Sequence, residues 1–81
     1  MEYYFRGIIN TKFGNSAGAC EDWGKAIELD PNFANAYFWR GTIKERQNKL
    51  DEACSDYKKA KELGAKDVDK YIEEFIEKHC K

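Results

Sequence analysis

The segment ACEDWGKAIEL at residues 19–29 returns 34 residues later as ACSDYKKAKEL at residues 53–63. The same offset relates YYFRGII at residues 3–9 to YFWRGTI at residues 37–43. An offset that holds over two separate segments indicates an array of equal units, each of which packs mainly on its neighbours. The sequence therefore predicts a repeat architecture rather than a domain built around one central core.

The two copies share identical residues in both of these segments. Residues 3–29 are identical to residues 37–63 at eleven positions: Tyr3, Arg6, Gly7, Ile9, Ala19, Cys20, Asp22, Lys25, Ala26, Glu28 and Leu29. Many of these residues are small or apolar, which is typical of positions restricted by close packing. The segment at 19–29 is therefore interpreted as a packing helix of each unit and not as a chemical motif.

Hydrophobic spacing along the chain is that of α-helices. Apolar residues recur at intervals of three and four, as at positions 19, 20, 23, 26 and 27, and do not alternate as in a half-buried strand. This spacing predicts an all-α fold of five helices, at about residues 2–13, 17–29, 33–47, 51–63 and 68–80.

Residues that end or begin helices stand between these segments. Gly14 and Gly64 can adopt the left-handed conformation that closes a helix, and Pro31 stops the second helix. The predicted N-caps, whose side-chain oxygens accept from free backbone N–H groups, are Ser16, Asn32 and Asp67. Short connections of this kind predict antiparallel helical hairpins.

Composition limits the classes of function. The 81 residues form at most one domain, and 14 basic against 15 acidic residues leave no positive field for nucleic acid. The longest uncharged runs, such as residues 33–39, are far shorter than the roughly 20 residues that cross a bilayer. Neither a nucleic-acid nor a membrane partner is expected. The pattern fits a cytoplasmic protein, and a mature exported chain that has lost its signal has the same pattern.

Three cysteines make an odd number. Cys20 and Cys54 occupy equivalent places in the two copies, about 10 Å apart if the units stack, which is too far for a disulfide. Both are expected to be buried apolar residues. Cys80 is expected to be exposed and able to form intermolecular disulfides, and it is not predicted to bind metal with His79 because no second ligand pair has zinc-like spacing.

The repeat resembles the tetratricopeptide repeat, a 34-residue helical hairpin with small and aromatic residues at fixed offsets. The first copy matches the pattern at Tyr3, Gly7, Ala19, Trp23, Ala26 and Pro31, and the second at Tyr37, Gly41, Ala53, Tyr57 and Ala60. The resemblance implies a right-handed α-α superhelix and one domain over residues 1–81. It divides that domain into repeat one at 1–33, repeat two at 34–67 and a capping helix at 68–80.

The chain departs from the family pattern at a few positions. Arg6 and Arg40 replace the usual leucine, and each is followed sixteen residues later by an aspartate, Asp22 or Asp56. We hypothesise that each arginine forms an ion pair across its hairpin; the alternative is that the arginines anchor a ligand. Phe75 stands where the first two copies have glycine, which is acceptable in a terminal helix with no tightly packed partner.

No constellation of catalytic residues is evident in the sequence. A nucleophile needs a base and an orienting group, and the only histidine is His79, near the C-terminus. Adjacent carboxylates such as Glu73 and Glu74 point in different directions on a helix and fit a solvated face. The sequence therefore predicts neither an enzyme nor a cofactor or metal site.

The resemblance implies that the first helix of each hairpin lines a concave groove that binds a peptide or helix of a partner protein. The residues expected there are Tyr4, Ile8, Thr11, Lys12, Asn35, Phe38, Thr42, Glu45, Arg46, Ile72 and Ile76. Family members that grip a C-terminal carboxylate use a set of Lys, Asn and Arg residues, and the corresponding positions here are Tyr4, Ile8, Trp39, Asp69 and Glu73. A carboxylate-clamp partner is therefore excluded, and a mainly apolar peptide is expected.

Two alternatives to a peptide groove stay open. Tyr4, Phe38 and Ile72 can simply pack against neighbouring helices or against a second copy of the chain. The outer face of the first hairpin, with Tyr3 or Phe5 together with Ile9 and Trp23, is expected to be open, and self-association into a homodimer would close it. The chain can equally be a fragment of a longer scaffold whose neighbouring unit covers that face.

Overall fold

A computed structural model describes residues 2–65 and 69–80, with residues 2–4 and 69 described by their backbone alone. These residues form five α-helices and no strand. The helices are α1 (Glu2–Lys12), α2 (Ser16–Leu29), α3 (Ala34–Arg46), α4 (Leu50–Glu62) and α5 (Asp69–His79). The predicted all-α fold is confirmed, and the two hairpins α1–α2 and α3–α4 stack through α2 and α3, as in a tetratricopeptide solenoid.

The turns agree with the predicted glycines but not with the predicted caps. Gly14 and Gly64 have φ of 75° and 85°, the left-handed conformation expected of them. Ser16 is the first residue of α2, and the N-cap is Asn15, whose Oδ1 accepts from the Gly18 N–H at 3.1 Å. Neither predicted side-chain cap is therefore correct in the described part, because α3 begins after Phe33 with no side-chain hydrogen bond.

At the third helix Asn32 instead donates its backbone N–H to Asp30 Oδ1 at 3.2 Å. This bond holds the turn around Pro31 and leaves the start of α3 to backbone hydrogen bonds, such as Ala36 N to Phe33 O at 3.1 Å. The third predicted N-cap, Asp67, lies outside the described residues.

Two glycines allow the helices of each hairpin to approach closely. A Cβ added to Gly7 would lie 2.7 Å from Cε2 of Trp23, and one added to Gly41 would lie 2.9 Å from Cδ1 of Tyr57. Real Cβ atoms do not approach aromatic carbons so closely, so an alanine at either position would displace a fully buried ring. This contact explains why the repeat keeps glycine at this position in both hairpins.

Buried side chains form two clusters, one at each helical junction. The first joins α2 to α3 and contains Ala19, Trp23, Ala26, Ala36 and Ile43. The second joins α3, α4 and α5 and contains Phe38, Ala53, Cys54, Tyr57, Ala60, Ala65, Ile72 and Phe75. Trp39 packs against both clusters and stacks on Trp23 with ring centroids 6.2 Å apart.

This arrangement corrects one expectation about the outer face of the first hairpin. Trp23 was expected on that face, but it is fully buried at the α2–α3 junction. Its indole also donates Nε1–H to the hydroxyl of Thr11 at 3.3 Å, so the side chain has no access to the outer face.

The fifth helix closes the second cluster. Ile72 is fully buried, and Phe75 packs edge-on against Tyr57 with centroids 4.6 Å apart. The expectation that Phe75, which replaces the glycine of the first two copies, has no tightly packed partner is therefore wrong, because its ring is buried against Tyr57 of α4. An ion pair between Lys61 and Glu73, 3.6 Å apart, lies at the same α4–α5 contact.

The cysteine pairing differs from the expectation. Cys54 and Cys80 form a disulfide with Cα atoms 5.7 Å apart, so the predictions of a free buried Cys54 and an exposed, unpaired Cys80 are wrong. The reason is that α5 folds back along α4 and brings its C-terminal end beside the first turns of α4. Cys20 is a free, half-buried thiol and is not paired with Cys54, as expected.

The predicted ion pairs between the helices of each hairpin are present. Arg40 binds Asp56 through two bonds, Nη2 to Oδ1 at 2.7 Å and Nε to Oδ2 at 3.0 Å. Arg6 lies 3.6 Å from Asp22. The hypothesis of structural pairs is therefore confirmed in both hairpins.

Candidate functional site

The predicted groove residues lie on α1, α3 and α5, and the structure separates them into accessible and buried groups. Phe38 is 9% exposed and Ile72 is fully buried, and both belong to the second core cluster. For these two residues the packing alternative is correct, and neither can contact a ligand in this conformation. The side chain of Tyr4 lies outside the described residues.

A small cleft opens between α1 and α3. Ile8, Thr11, Lys12 and Trp39 line a cavity of about 60 Å³ there. Arg46 bridges the two helices by donating Nη1–H to the backbone carbonyl of Thr11 at 3.4 Å. The cleft therefore combines an apolar interior with two basic side chains, Lys12 and Arg46, near its mouth.

Thr11 forms a wall of this cleft rather than a free polar group. Its hydroxyl donates to the Gly7 carbonyl at 2.7 Å and accepts from Trp23 Nε1, and the side chain is buried. Trp39 was predicted only as a clamp-position residue and not as part of the groove. Its counterpart in the first repeat, Phe5, is apolar as well, so the sequence pattern did not mark Trp39 as a binding residue.

A second cleft opens between α3 and α5. Its lining encloses about 130 Å³ and consists of Glu45, Tyr71, Glu74, Phe75, Lys78 and His79. Of the two groove residues predicted on α5, Ile76 is half-buried against the core and does not line this cleft. Tyr71, which was not predicted as a site residue, is 44% exposed and faces the cleft.

Glu45 connects α3, α4 and α5 at this place. Its Oε1 accepts hydrogen bonds from the hydroxyls of Tyr57 and Tyr71, each at 2.8 Å. Burial, together with the carboxylate of Glu45, raises the pKa of both tyrosines above the usual value. Thr42 lies 3.2 Å from the Tyr57 hydroxyl, so both predicted groove residues, Thr42 and Glu45, already take part in an internal network.

Asn35 does not join either cleft. It is exposed and lines a separate hollow of about 330 Å³ formed by the turns at Asp30–Phe33 and Gly64–Ala65. Of the eleven predicted groove residues, the ones that line the two clefts are Ile8, Thr11, Lys12 and Glu45, with Arg46 and Thr42 bonded beside them.

Arg6 and Arg40, the two arginines considered as ligand anchors, each form an ion pair with an aspartate of the same hairpin. Cys20, Arg40 and Lys44 line a hollow of about 360 Å³ between the hairpins, with Glu52, Ser55 and Asp56. The bidentate bond to Asp56 raises the pKa of Arg40, and the hydrogen bond to Glu52 at 3.1 Å raises that of Lys44. Because the guanidinium fork of Arg40 faces Asp56, the structural interpretation is favoured over the ligand anchor.

A row of apolar side chains is exposed on the outer side of α1. Phe5, Ile9 and Phe13, here called the N-terminal stripe, are 61%, 52% and 84% exposed. They are spaced by four residues and lie on one side of the helix, since Phe13 continues its last turn through a backbone bond to Ile9 O at 3.0 Å. Leu29, at the end of α2, is 70% exposed.

Neither a membrane-spanning helix nor a cluster of metal ligands is found in the described part of the chain. None of its helices has both the length and the apolar character needed to cross a membrane. Within the same residues no three His, Cys, Asp or Glu side chains come together as metal ligands.

Comparison with known protein families agrees with the geometry. Residues 23–55 match the sequence model of the tetratricopeptide repeat. The matched segment runs from Trp23 in α2, through α3, to Ser55 in α4, and thus spans the junction between the hairpins. Among curated proteins, none matches the chain.

Proposed function

Because this chain is a tetratricopeptide repeat protein, a family of protein–protein interaction modules, we propose that it binds a short peptide segment of a partner protein across α1, α3 and α5. The observation that carries the proposal is the pair of clefts that flank α3, one against α1 and one against α5. A peptide that crosses α3 would reach both clefts. The proposed role is binding without catalysis.

The chemistry of the α1–α3 cleft suggests what the peptide carries. Ile8 and Trp39 provide an apolar interior with room for one aliphatic side chain, and Lys12 and Arg46 stand beside it. An apolar residue next to an acidic one would satisfy both features. The acidic side chains at two clamp positions, Asp69 and Glu73, disfavour a terminal carboxylate.

Selection from a random peptide library, followed by fluorescence anisotropy on the selected peptides, tests this function. We expect enriched peptides to share an apolar residue beside an acidic one. Ile8→Asp and Lys12→Glu are each expected to weaken binding at least about tenfold, because a new carboxylate repels the acidic residue of the peptide.

The matched control is Lys58→Glu, which makes the same charge change at an exposed site on α4 that lies outside both clefts. Peptides that lose affinity equally with Lys12→Glu and Lys58→Glu would be responding to net charge alone. That result would contradict the proposed site, as would a selection that enriches no sequence.

One residue predicted for the groove, Phe38, is not suitable for testing peptide binding by substitution. Phe38→Ala would open a cavity in the second core cluster and weaken the fold directly. Loss of binding in that variant would therefore say nothing about the groove. Lys12 is exposed and can be changed without removing core contacts, whereas Ile8 is half-buried against the first cluster, so circular dichroism must show that Ile8→Asp is folded before its affinity is compared.

A further inference from the structure

The N-terminal stripe is the face of the first hairpin that corresponds to a buried face of the second. Phe5 and Ile9 align with Trp39 and Ile43 at the 34-residue offset. In the second hairpin Ile43 is 1% exposed and, with Trp39, packs on α2. The corresponding residues of α1 are more than half exposed. The stripe is thus a surface of the kind that a helix covers elsewhere in this molecule.

We propose that a second copy of this chain covers the N-terminal stripe, with the two α1 helices antiparallel across a two-fold axis at Ile9. The proposal concerns the outer side of α1, which shares Lys12 with the α1–α3 cleft, and it does not depend on the proposed function. It replaces the broader expectation of association through the first hairpin, which had included the buried Trp23.

The spacing of the stripe is the first argument for a second copy. Phe5 and Phe13 lie four residues on either side of Ile9. When two such helices pair antiparallel around Ile9, the Phe5 side chain of each copy meets Phe13 of the other, and the two Ile9 side chains meet on the axis. A two-fold interface requires a surface that complements itself in this way.

Charge is the second argument. A three-residue turn joins α1 to α2, so the helices run antiparallel and the end of α2 lies beside the start of α1. Exposed Lys12 is at one end of the stripe, and the exposed acids Glu28 and Asp30 are at the other, where Glu28 is also paired with Lys25 at 3.4 Å. Antiparallel pairing places Lys12 of each copy toward the acids of its partner, twice in each dimer.

The third argument is that the other helices are covered, which favours a closed dimer over an open chain of molecules. A head-to-tail chain would need an open face on α2 or α4 to receive the stripe of the next molecule. The face of α2 is covered by α3, and that of α4 is covered by α5. With both of these faces occupied, we infer that stripe pairs with stripe, and an interface of this kind closes at two copies.

The small area of the proposed α1–α1 interface determines how tightly the dimer is expected to form. Each copy contributes mainly one helix of 11 residues, which is about 16 Å long at 1.5 Å per residue. A contact of this length buries less than the roughly 800 Å² per partner of a standard stable interface. We therefore expect a reversible dimer with a dissociation constant in the micromolar range, so that dilution gives the monomer.

Sedimentation equilibrium from micromolar to millimolar concentration tests the proposal. Wild type is expected to pass from monomer to dimer, and Ile9→Lys to raise the dissociation constant at least about tenfold, because two lysines then meet on the axis. The control is Ser55→Lys, which adds the same charge at an exposed site on α4 and should associate as wild type does. Circular dichroism confirms that both variants fold.

A cross-linking series then tests the two-fold geometry, in a Cys20→Ser background that removes the free thiol. Ile9→Cys is expected to form a covalent dimer with itself. Phe5→Cys and Phe13→Cys should each link poorly alone and efficiently when mixed, because each position faces the other across the axis.

Several outcomes would overturn the proposal. A wild-type chain that stays monomeric at millimolar concentration leaves the stripe to a different occupant, such as a preceding helical hairpin. Unchanged association of Ile9→Lys, or equal cross-linking of Phe13→Cys alone and in the mixture, would contradict the interface or its axis. Ile9→Lys and the cysteine variants leave every residue that lines the α1–α3 cleft unchanged, so failure of the dimer proposal does not count against peptide binding.

Discussion

The two hairpins carry nearly the same packing residues and experience different surroundings. Ile9 and Ile43 occupy equivalent positions, yet Ile9 is 52% exposed and Ile43 is 1% exposed. Hairpin two lies between α2 and α5, whereas Phe5, Ile9 and Phe13 on the outer side of α1 are each more than half exposed. The comparison shows that burial in a repeat protein depends on the neighbouring unit more than on the residue itself.

The ion pairs show the same contrast on a smaller scale. Arg40 has a side chain 27% exposed and makes two bonds to Asp56, whereas Arg6 is 55% exposed and lies 3.6 Å from Asp22. In hairpin one Asn10 donates to the second oxygen of Asp22 at 2.6 Å, a position where hairpin two has Lys44. The aspartate is therefore buried and bonded in both hairpins, but by different partners.

The largest expected difference between the hairpins comes from the two isoleucines. Ile43→Ala should lower the free energy of unfolding by about 3 kcal/mol, because it leaves a cavity beside Trp23 and Ala26. Ile9→Ala should change it by about 0.5 kcal/mol in dilute monomer. Urea denaturation measures both. Equal losses would mean that the outer face of α1 is covered in solution.

The disulfide provides the next test, since it fastens α5 over hairpin two. Reduction, or Cys80→Ser, should cost about 3 kcal/mol by releasing a loop closed across 26 residues. Hydrogen exchange should then show α5 losing protection before α1 and α2. Cys20→Ser is the control and should leave stability within about 0.5 kcal/mol. If reduction leaves exchange in α5 unchanged, its apolar contacts alone hold the helix.

The arginines allow a third matched comparison. Arg40→Ala should destabilise the protein by about 2 kcal/mol, because the buried carboxylate of Asp56 loses both of its charged bonds. Arg6→Ala should cost less than about 1 kcal/mol, since Asn10 still binds Asp22 and the arginine is largely exposed. Thermal denaturation of both variants decides the comparison, and a larger loss for Arg6→Ala would contradict it.

High pH should lower the free energy of unfolding through Tyr57 in hairpin two. Its counterpart in hairpin one, Trp23, does not titrate in this pH range. Burial raises the pKa of Tyr57, so above about pH 10 the unfolded chain releases this proton while the folded chain retains it. Stability that is fully present below pH 10 is therefore lost as pH rises, by about 1.4 kcal/mol per pH unit. Denaturation between pH 8 and about pH 11 should show a shallower loss for Tyr57→Phe.

The fold could be predicted because its determinants are local. Helical spacing, Gly14, Gly64 and the 34-residue offset are visible in the sequence, and all five helices end within a few residues of the predicted positions. The capping residues were predicted less accurately than the helix bounds, because Asn15 and Ser16 are both capable caps and the geometry of the turn selects between them.

Features that depend on how helices pack were harder to predict. The pairing of Cys54 with Cys80 follows from the direction in which α5 returns along α4, which spacing does not specify. Of the residues predicted for the groove, Phe38 and Ile72 are turned into the core by the rotation of their helices, whereas Lys12 is exposed and Ile8 is half-buried. The groove itself stays a prediction. A shift of one residue around a helix decides whether a side chain packs or binds.

The stacked indoles of Trp23 and Trp39 have a practical consequence for spectroscopy. They are the only two tryptophans in the chain, and their rings lie 6.2 Å apart with planes inclined by 13°. Intrinsic fluorescence excited at the red edge of absorption will thus report on the junction between α2 and α3 alone. Opening of this junction can therefore be followed without an added label and compared with the loss of helix in the whole chain measured by circular dichroism.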